Sequence, residues 1–153
     1  MRLHKANYLH LYLAAVALSA SDREEMDRMH PNRDPVDVLT ASSDDPTVMA
    51  ISDERGSVLA VGGHSNRFIW FVHTEQAERL PAKGRAEMLS ILRGHLMDIK
   101  DQSSRQRPED TYHFTNVVSL DNAKHLRLLD ALGAEFLPET LRLNGHDFKQ
   151  FLF

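Results

Sequence analysis

Three groups of side chains in this sequence have types and spacings that could do chemistry. His73 and Glu75 flank Thr74 at the end of the apolar run Phe68–Val72, placing an imidazole and a carboxylate where a strand runs out, as candidate proton acceptors. A surface carboxylate and a satisfied imidazole would read the same way. Arg79, Lys83 and Arg85 crowd around Gly84 at the start of a helical pattern, and cations beside unpaired helix-start N–H groups attract phosphate. An ordinary solvated helix start with basic residues is an equal alternative. Asn122 and His125 belong to the stretch NAKHLRLLDALGAEF, Asn122–Phe136. There Leu126, Leu128, Leu129 and Leu132 fall within one arc of roughly 160° on a helical wheel, and His125 lies in the middle of that arc. It is either a core histidine bonded to a backbone carbonyl or one that faces a cleft beside Asn122.

Other chemistries are excluded by what is absent. The nine histidines show no HExxH or other tight ligand spacing, so no metal site is expected. There is no G-x-S-x-G elbow, no G-x-x-x-x-G-K-[ST] loop and no G-x-G-x-x-G. With no cysteine, disulfides, thiolate metal sites and thiol nucleophiles are gone together. A formal charge of −4 without a long basic run argues against nucleic acid as a partner. At 42% apolar and 26% charged, residues 1–153 read as one domain with an ordinary core and surface.

The elements that must position these residues follow from periodicity and punctuation. Ala6–Leu18 reads as a buried amphipathic helix with Leu9, Leu13 and Val16 inward. Its polar side has no Lys/Arg stripe, so no membrane-surface role is expected. Ser19 or Ser21 caps an acidic helix over Asp22–Met29, which Pro31 and Pro35 stop. The polar stretch Asn32–Pro46 reads as a loop, either a lid or a connection. Thr47–Asp53 and Ser57–Gly63 form a hairpin around Glu54-Arg55-Gly56, and Gly62-Gly63 marks a bulge or a close backbone approach. Arg67–Thr74 alternates apolar residues on both sides, as a central strand covered on both faces does. A helix over Gly84–Asp101, a polar loop Gln102–Asp110 and a strand Tyr112–Val118 come next. The Asn122 helix ends on Gly133, placed for a left-handed cap, and Glu135–Leu143 with Asp147–Phe153 closes a hairpin around Asn144-Gly145.

Residue identities add a resemblance. Asn122, Arg127-Leu128-Leu129 and Leu132-Gly133-Ala134 resemble the last motif of the GCN5-related N-acetyltransferases in its N-x-x-x-x-R-L-L-x-x-L-G-A form. The run IWFVHTEQAERL (Ile69–Leu80), a basic helix and N-x-x-H-x-R-x-L-x-x-x-G-A-x-F together resemble the acetyltransferase-like internal virion protein A family of short-tailed phages. The resemblance implies a single α/β domain: a mixed, mostly antiparallel sheet of about six strands with helices on both faces. It implies acetyl-CoA in a cleft between the fourth and fifth strands, with the pantetheine arm along the exposed backbone of the fourth. Thr74 and Asn122 would line that arm, with His125 beside them, and Arg79, Lys83, Gly84 and Arg85 would hold the pyrophosphate. His73 or Glu75 would be the base.

Two positions depart from the family pattern. Pro81 stands where the phosphate loop has Gln or Arg, and Leu129 stands where many members have the tyrosine that protonates the leaving thiolate. The resemblance therefore implies one of two functions: a phage-encoded acetyltransferase acting on an amine of a host or phage protein, or a non-catalytic virion, assembly or host-interaction protein on the same fold. Both imply a protein partner and a place in the host cytoplasm or the virion.

Overall fold

The computed structural model describes residues 1–153 and places them in one seven-stranded sheet. In chain order the elements are β1 (Arg2–Lys5), α1 (Tyr8–Val16), α2 (Ala20–Met29), α3 (Pro35–Thr40), β2 (Met49–Ser52), β3 (Val58–Ser65), β4 (Phe68–His73), α4 (Glu75–Glu78), α5 (Ala82–Gln106), β5 (Thr115–Ser119), α6 (Ala123–Leu132), β6 (Glu135–Leu143) and β7 (His146–Leu152). The strand order is β1-β2-β3-β4-β5-β7-β6. All neighbouring pairs are antiparallel except β4–β5. The mixed, mostly antiparallel sheet with helices on both faces is as expected, with seven strands rather than six.

β4 is the middle strand and is covered on both sides. Trp70 and Val72 pack with the cluster built by α1, α3 and Val61, whereas Ile69 and Phe71 turn to the face that holds α5 and α6. Phe68, at the entry, is 61% exposed. The Gly62 expectation holds as a close approach. A Cβ there would stand 2.7 Å from the Trp70 carbonyl oxygen, so only glycine lets β3 and β4 lie this close.

Local signals explain the helix that carries Asn122 and His125. The Asn122 Oδ1 accepts from the His125 N–H at 3.1 Å and caps α6, and Gly133 closes it at φ 86°. Ser19 caps α2, its Oγ accepting from the Asp22 N–H at 3.2 Å. The last hairpin turns on Asn144 and Gly145, both at positive φ as a type I′ turn requires.

Four sequence expectations need correction. The N-terminal helix is shorter and turned over: Leu11, Ala14 and Ala15 are buried, whereas Leu9, Leu13 and Val16 are exposed. Nearly every position in α1 is apolar, so periodicity could not choose a face, and the small Ala14–Ala15 pair allows the closer approach. Ahead of it lies an unforeseen edge strand, β1. The stretch 32–46 contains α3, started by Asp34, whose Oδ1 accepts from the Val36 N–H at 2.8 Å, with Pro35 at the first helical position. Proline there begins a helix rather than stopping one. Finally, α5 runs on to Gln106, so the polar loop starts at Arg107.

Candidate functional site

The site lies where β4 and β5 part. These parallel strands share a single register pair, Phe68 with Thr115. The Asn116 side chain then reaches across, its Nδ2 donating to the Ile69 carbonyl at 2.8 Å. Beyond that the strands separate, and a cavity of about 530 Å³ fills the gap. Apolar residues dominate its wall, among them Met26, Trp70, Phe71, Leu96 and Leu129, and Asp22, Glu25 and His125 make it polar at one end.

The backbone of β4 faces this slot at alternate residues. Thr74 donates its N–H to the Leu59 carbonyl at 2.9 Å on the β3 side, so His73, Phe71 and Ile69 turn theirs toward β5. At His73 both groups are taken. Its carbonyl accepts from the Ser19 N–H at 3.0 Å, and its own N–H donates to Asp22 Oδ2 at 2.8 Å. The Glu75 N–H donates to the Ala17 carbonyl at 2.9 Å, so the linker between α1 and α2 runs along this edge as a short extra strand. Of the three slot-facing residues, only Phe71 has no partner from a side chain or loop.

Helix α2 spans the opening and is fastened to both sides by buried acids. Asp22 Oδ2 receives the His73 Nδ1 at 2.7 Å, and Asp22 Oδ1 receives the Asn122 Nδ2 at 3.3 Å. One helical turn on, Glu25 pairs with His125 Nδ1 at 2.9 Å and accepts the Ser119 N–H of β5 at 3.1 Å. The far end of α2 is held by Asn144, whose Nδ2 donates to the Met29 carbonyl at 2.7 Å. A second chain of charges closes the outer rim: His73 Nε2 lies 3.5 Å from Glu78, and Glu78 takes Lys124 Nζ at 2.6 Å.

Protonation follows from these partners. Burial works against a charged His73, but the hydrogen bond and charge of Asp22, followed by Glu78, outweigh it and raise its pKa above the ordinary value. For Asp22, burial pushes the pKa up, the His73 contacts pull it down further, and the net direction is down. Asp22 and His73 are therefore a charged pair near neutral pH. Glu78 is lowered, chiefly by Lys124. At the other end of the cavity His64 and His95 are lowered, mainly by burial, and stay neutral.

The structure brings together three of the residues singled out in sequence, His73, Asn122 and His125, and joins them through Asp22 and Glu25. Thr74 is buried, its hydroxyl donating to the Val58 carbonyl at 2.9 Å. Glu75 stands outside at the start of α4 in an exposed ion pair with Arg79 at 3.0 Å. Arg85 donates to the Leu80 carbonyl at 2.6 Å, and Lys83 is exposed on the first turn of α5. Gly84 turns its Cα toward Leu80 and Met1, which a Cβ would meet at 3.3 and 3.4 Å. Arg79, Lys83 and Arg85 make no bond to His73, Asn122 or His125.

Asp22, Glu25 and Glu78 were missed in sequence. Their signal was there: Asp22, Glu25, Met26 and Met29 stand at i, i+3, i+4 and i+7, the spacing of an inward stripe with two acids in it.

The sheet, its splayed strands and the helices on both faces are those of the GCN5-related acetyltransferase fold. Over 99% of this chain and 95% of its own, a GNAT-family acetyltransferase from Bacillus cereus ATCC 10987 superposes with a TM-score of 0.61 at 11% identity. An N-acetyltransferase from Staphylococcus aureus Mu50 covers 100% of both chains at 0.61 and 12%. A ribosomal-protein-alanine N-acetyltransferase from Brucella melitensis covers 100% of this chain and 99% of its own, also at 0.61 and 12%. At such identities the likeness shows the fold alone. The sequence itself carries the narrower assignment. The family described as "Bacteriophage T7, probable scaffold protein Gp13" matches residues 47–140, more than half of the chain, and the protein belongs to that family. No curated protein matches it in sequence. No helix is long and apolar enough to cross a membrane.

Proposed function

We propose that this protein is a non-catalytic member of the acetyltransferase fold, working as a structural or assembly protein of a phage particle, in the host cytoplasm or the virion. The observation that carries the reading is at His73. Its N–H and carbonyl, at the end of the fourth strand along which the resemblance lays a pantetheine arm, are occupied by Asp22 and Ser19 of the same chain. An arm bonding at His73 would have to displace α2 and leave two buried acids without their histidines. Other features point the same way. Leu129 offers no proton to a leaving thiolate, and Pro81 gives α5 no side-chain cap or phosphate ligand. His73 is held between two carboxylates, Asp22 and Glu78, whose bonds and charge favour its protonated form, which has no lone pair to take a proton. The scaffold description of its family fits a role in assembly.

The test is calorimetric titration with acetyl-CoA and coenzyme A, read beside thiol release with amine acceptors. No heat, no melting shift at millimolar coenzyme and release at the background rate are expected. A ligand at a hundred times its dissociation constant would add about 2.7 kcal/mol to stability. Saturable one-to-one binding would overturn the occupied-edge argument, and thiol release above background would restore the enzyme.

A further inference from the structure

The outer side of α1 carries more exposed apolar surface than any other element. Five of the nine large hydrophobic residues that stand exposed in the whole chain lie on this one nine-residue helix: Tyr8 at 59%, Leu9 at 58%, Tyr12 at 41%, Leu13 at 40% and Val16 at 50%. Scattered single apolar residues on a surface mean little, but a contiguous stripe marks a contact. These five form two adjacent i, i+4 rows, Tyr8–Tyr12–Val16 and Leu9–Leu13, with Leu11, Ala14 and Ala15 buried behind them.

We propose that this stripe is the two-fold interface of a homodimer, with α1 of one copy crossing α1 of the other in antiparallel sense. Three observations select a second copy. First, α1 has no Asp, Glu, Lys or Arg anywhere along it, so the surface meets itself without like-charge repulsion. Second, at the exposures quoted the five side chains present roughly 450 Å² of surface, over half of the ~800 Å² per partner of a standard interface. With flanking Asn7 and His10 that places it at the small end of interfaces, as suits a weak, reversible dimer rather than a permanent one. Third, the neighbouring alternative is closed. β1 is an open sheet edge beside α1, as the His4 and His10 rings 4.7 Å apart show. Antiparallel pairing of β1 with its own copy, however, would oppose Arg2 to Lys5, a like-charge pairing that strands avoid. The helix face, not the sheet edge, is therefore what a second copy covers. Two i, i+4 rows crossing their own copy suit ridge-into-groove packing, which sets Tyr12, at the middle of the stripe, on the two-fold axis.

The test uses the full chain and is independent of coenzyme binding, so this inference and the non-catalytic reading can fail separately. Sedimentation velocity should show the wild type passing from monomer to dimer in the micromolar range. The double variant Leu9→Glu, Leu13→Glu should stay monomeric and unfold at the midpoint that the wild type shows when diluted to monomer, because both side chains are exposed. The chain has no cysteine, so a single introduced thiol reports geometry directly. Tyr12→Cys should form a disulfide-linked dimer on mild oxidation. Tyr8→Cys should not, because its two copies would lie about 12 Å apart along antiparallel helices, beyond the reach of a disulfide. A wild type that stays monomeric at high concentration overturns the proposal, whether or not it then binds neutral lipid vesicles. So does cross-linking through Tyr8→Cys, which would mean a parallel pair.

Discussion

Replacing Asp22 by Asn changes one atom and one charge at the place where α2, β4 and α6 meet. Asp22 is 5% exposed and accepts from three donors: the His73 N–H at 2.8 Å, the His73 ring at 2.7 Å and the Asn122 amide at 3.3 Å. An asparagine keeps one acceptor oxygen and turns an NH₂ group toward donors that cannot receive it. The His73 ring then faces Glu78 alone, buried with half its compensation gone. Removing one partner of a buried ion pair costs about 3–5 kcal/mol. For a domain of this size each kcal/mol moves the melting point by roughly 2–4 °C, so Asp22→Asn should melt about 10 °C lower. The pH dependence is the sharper check. His73 has its pKa raised in the fold, so its contribution is full below the ordinary 6.5 and is lost as pH climbs through the raised value. Asp22 has its pKa lowered, so its contribution is present above the ordinary 3.8 and is lost as pH falls through the lowered value. The pair is therefore strongest between those limits. Urea denaturation of the wild type should show stability falling from pH 6 to pH 9, and the variant should be flatter over that range. A variant within 1 °C of wild type, or one that keeps the full alkaline loss, would refute the charged-pair account.

Other substitutions test separate links. Gly133→Val should lose about 1–2 kcal/mol in chemical denaturation through backbone strain alone, since φ is 86° and a Cβ there would meet nothing within 4 Å. Gly62→Ala should lose about 1–3 kcal/mol, as overpacking does, because its Cβ would press on the Trp70 carbonyl; an unchanged midpoint would show that the two strands can part freely. Glu75→Gln breaks only an exposed ion pair with Arg79, and its unfolding free energy in urea should stay within about 0.5 kcal/mol of wild type.

What the sequence disclosed divides along the range of the interactions. The Gly133 terminus, the Asn144-Gly145 turn and the central strand are each decided by residues within one or two turns, and they stand as read. The face of α1 failed because a helix apolar all round carries no directional signal, and the choice passed to Ala14 and Ala15 packing against α3 and β3. β1 has four residues and α4 four, too short for a period to emerge. The acid–histidine pairs join Asp22 to His73 and Glu25 to His125, 51 and 100 residues apart in the chain. No local pattern reports such a partner. The spacing of Asp22, Glu25, Met26 and Met29 could show an inward stripe on α2, but not which strands that stripe would close over.

That closure is more than a door left shut in one conformation. For a ligand arm to bond the His73 backbone at the end of β4, the Ser19 and Asp22 bonds there must break. The arm returns comparable hydrogen bonds, each worth about 0.5–1.5 kcal/mol net. Displacing α2 also parts Glu25 from His125 and from the Ser119 N–H, and Asn144 from the Met29 carbonyl. Charges that stay buried without partners cost several kcal/mol each, and Asp22 and Glu25 escape that cost only if α2 swings out to water. Swinging out uncovers Met26 and the apolar wall behind it, at about 25 cal/mol for each Å² exposed. A few exchanged hydrogen bonds do not offset either route. The His73 end of that strand edge is thus the seat of the chain's own second helix.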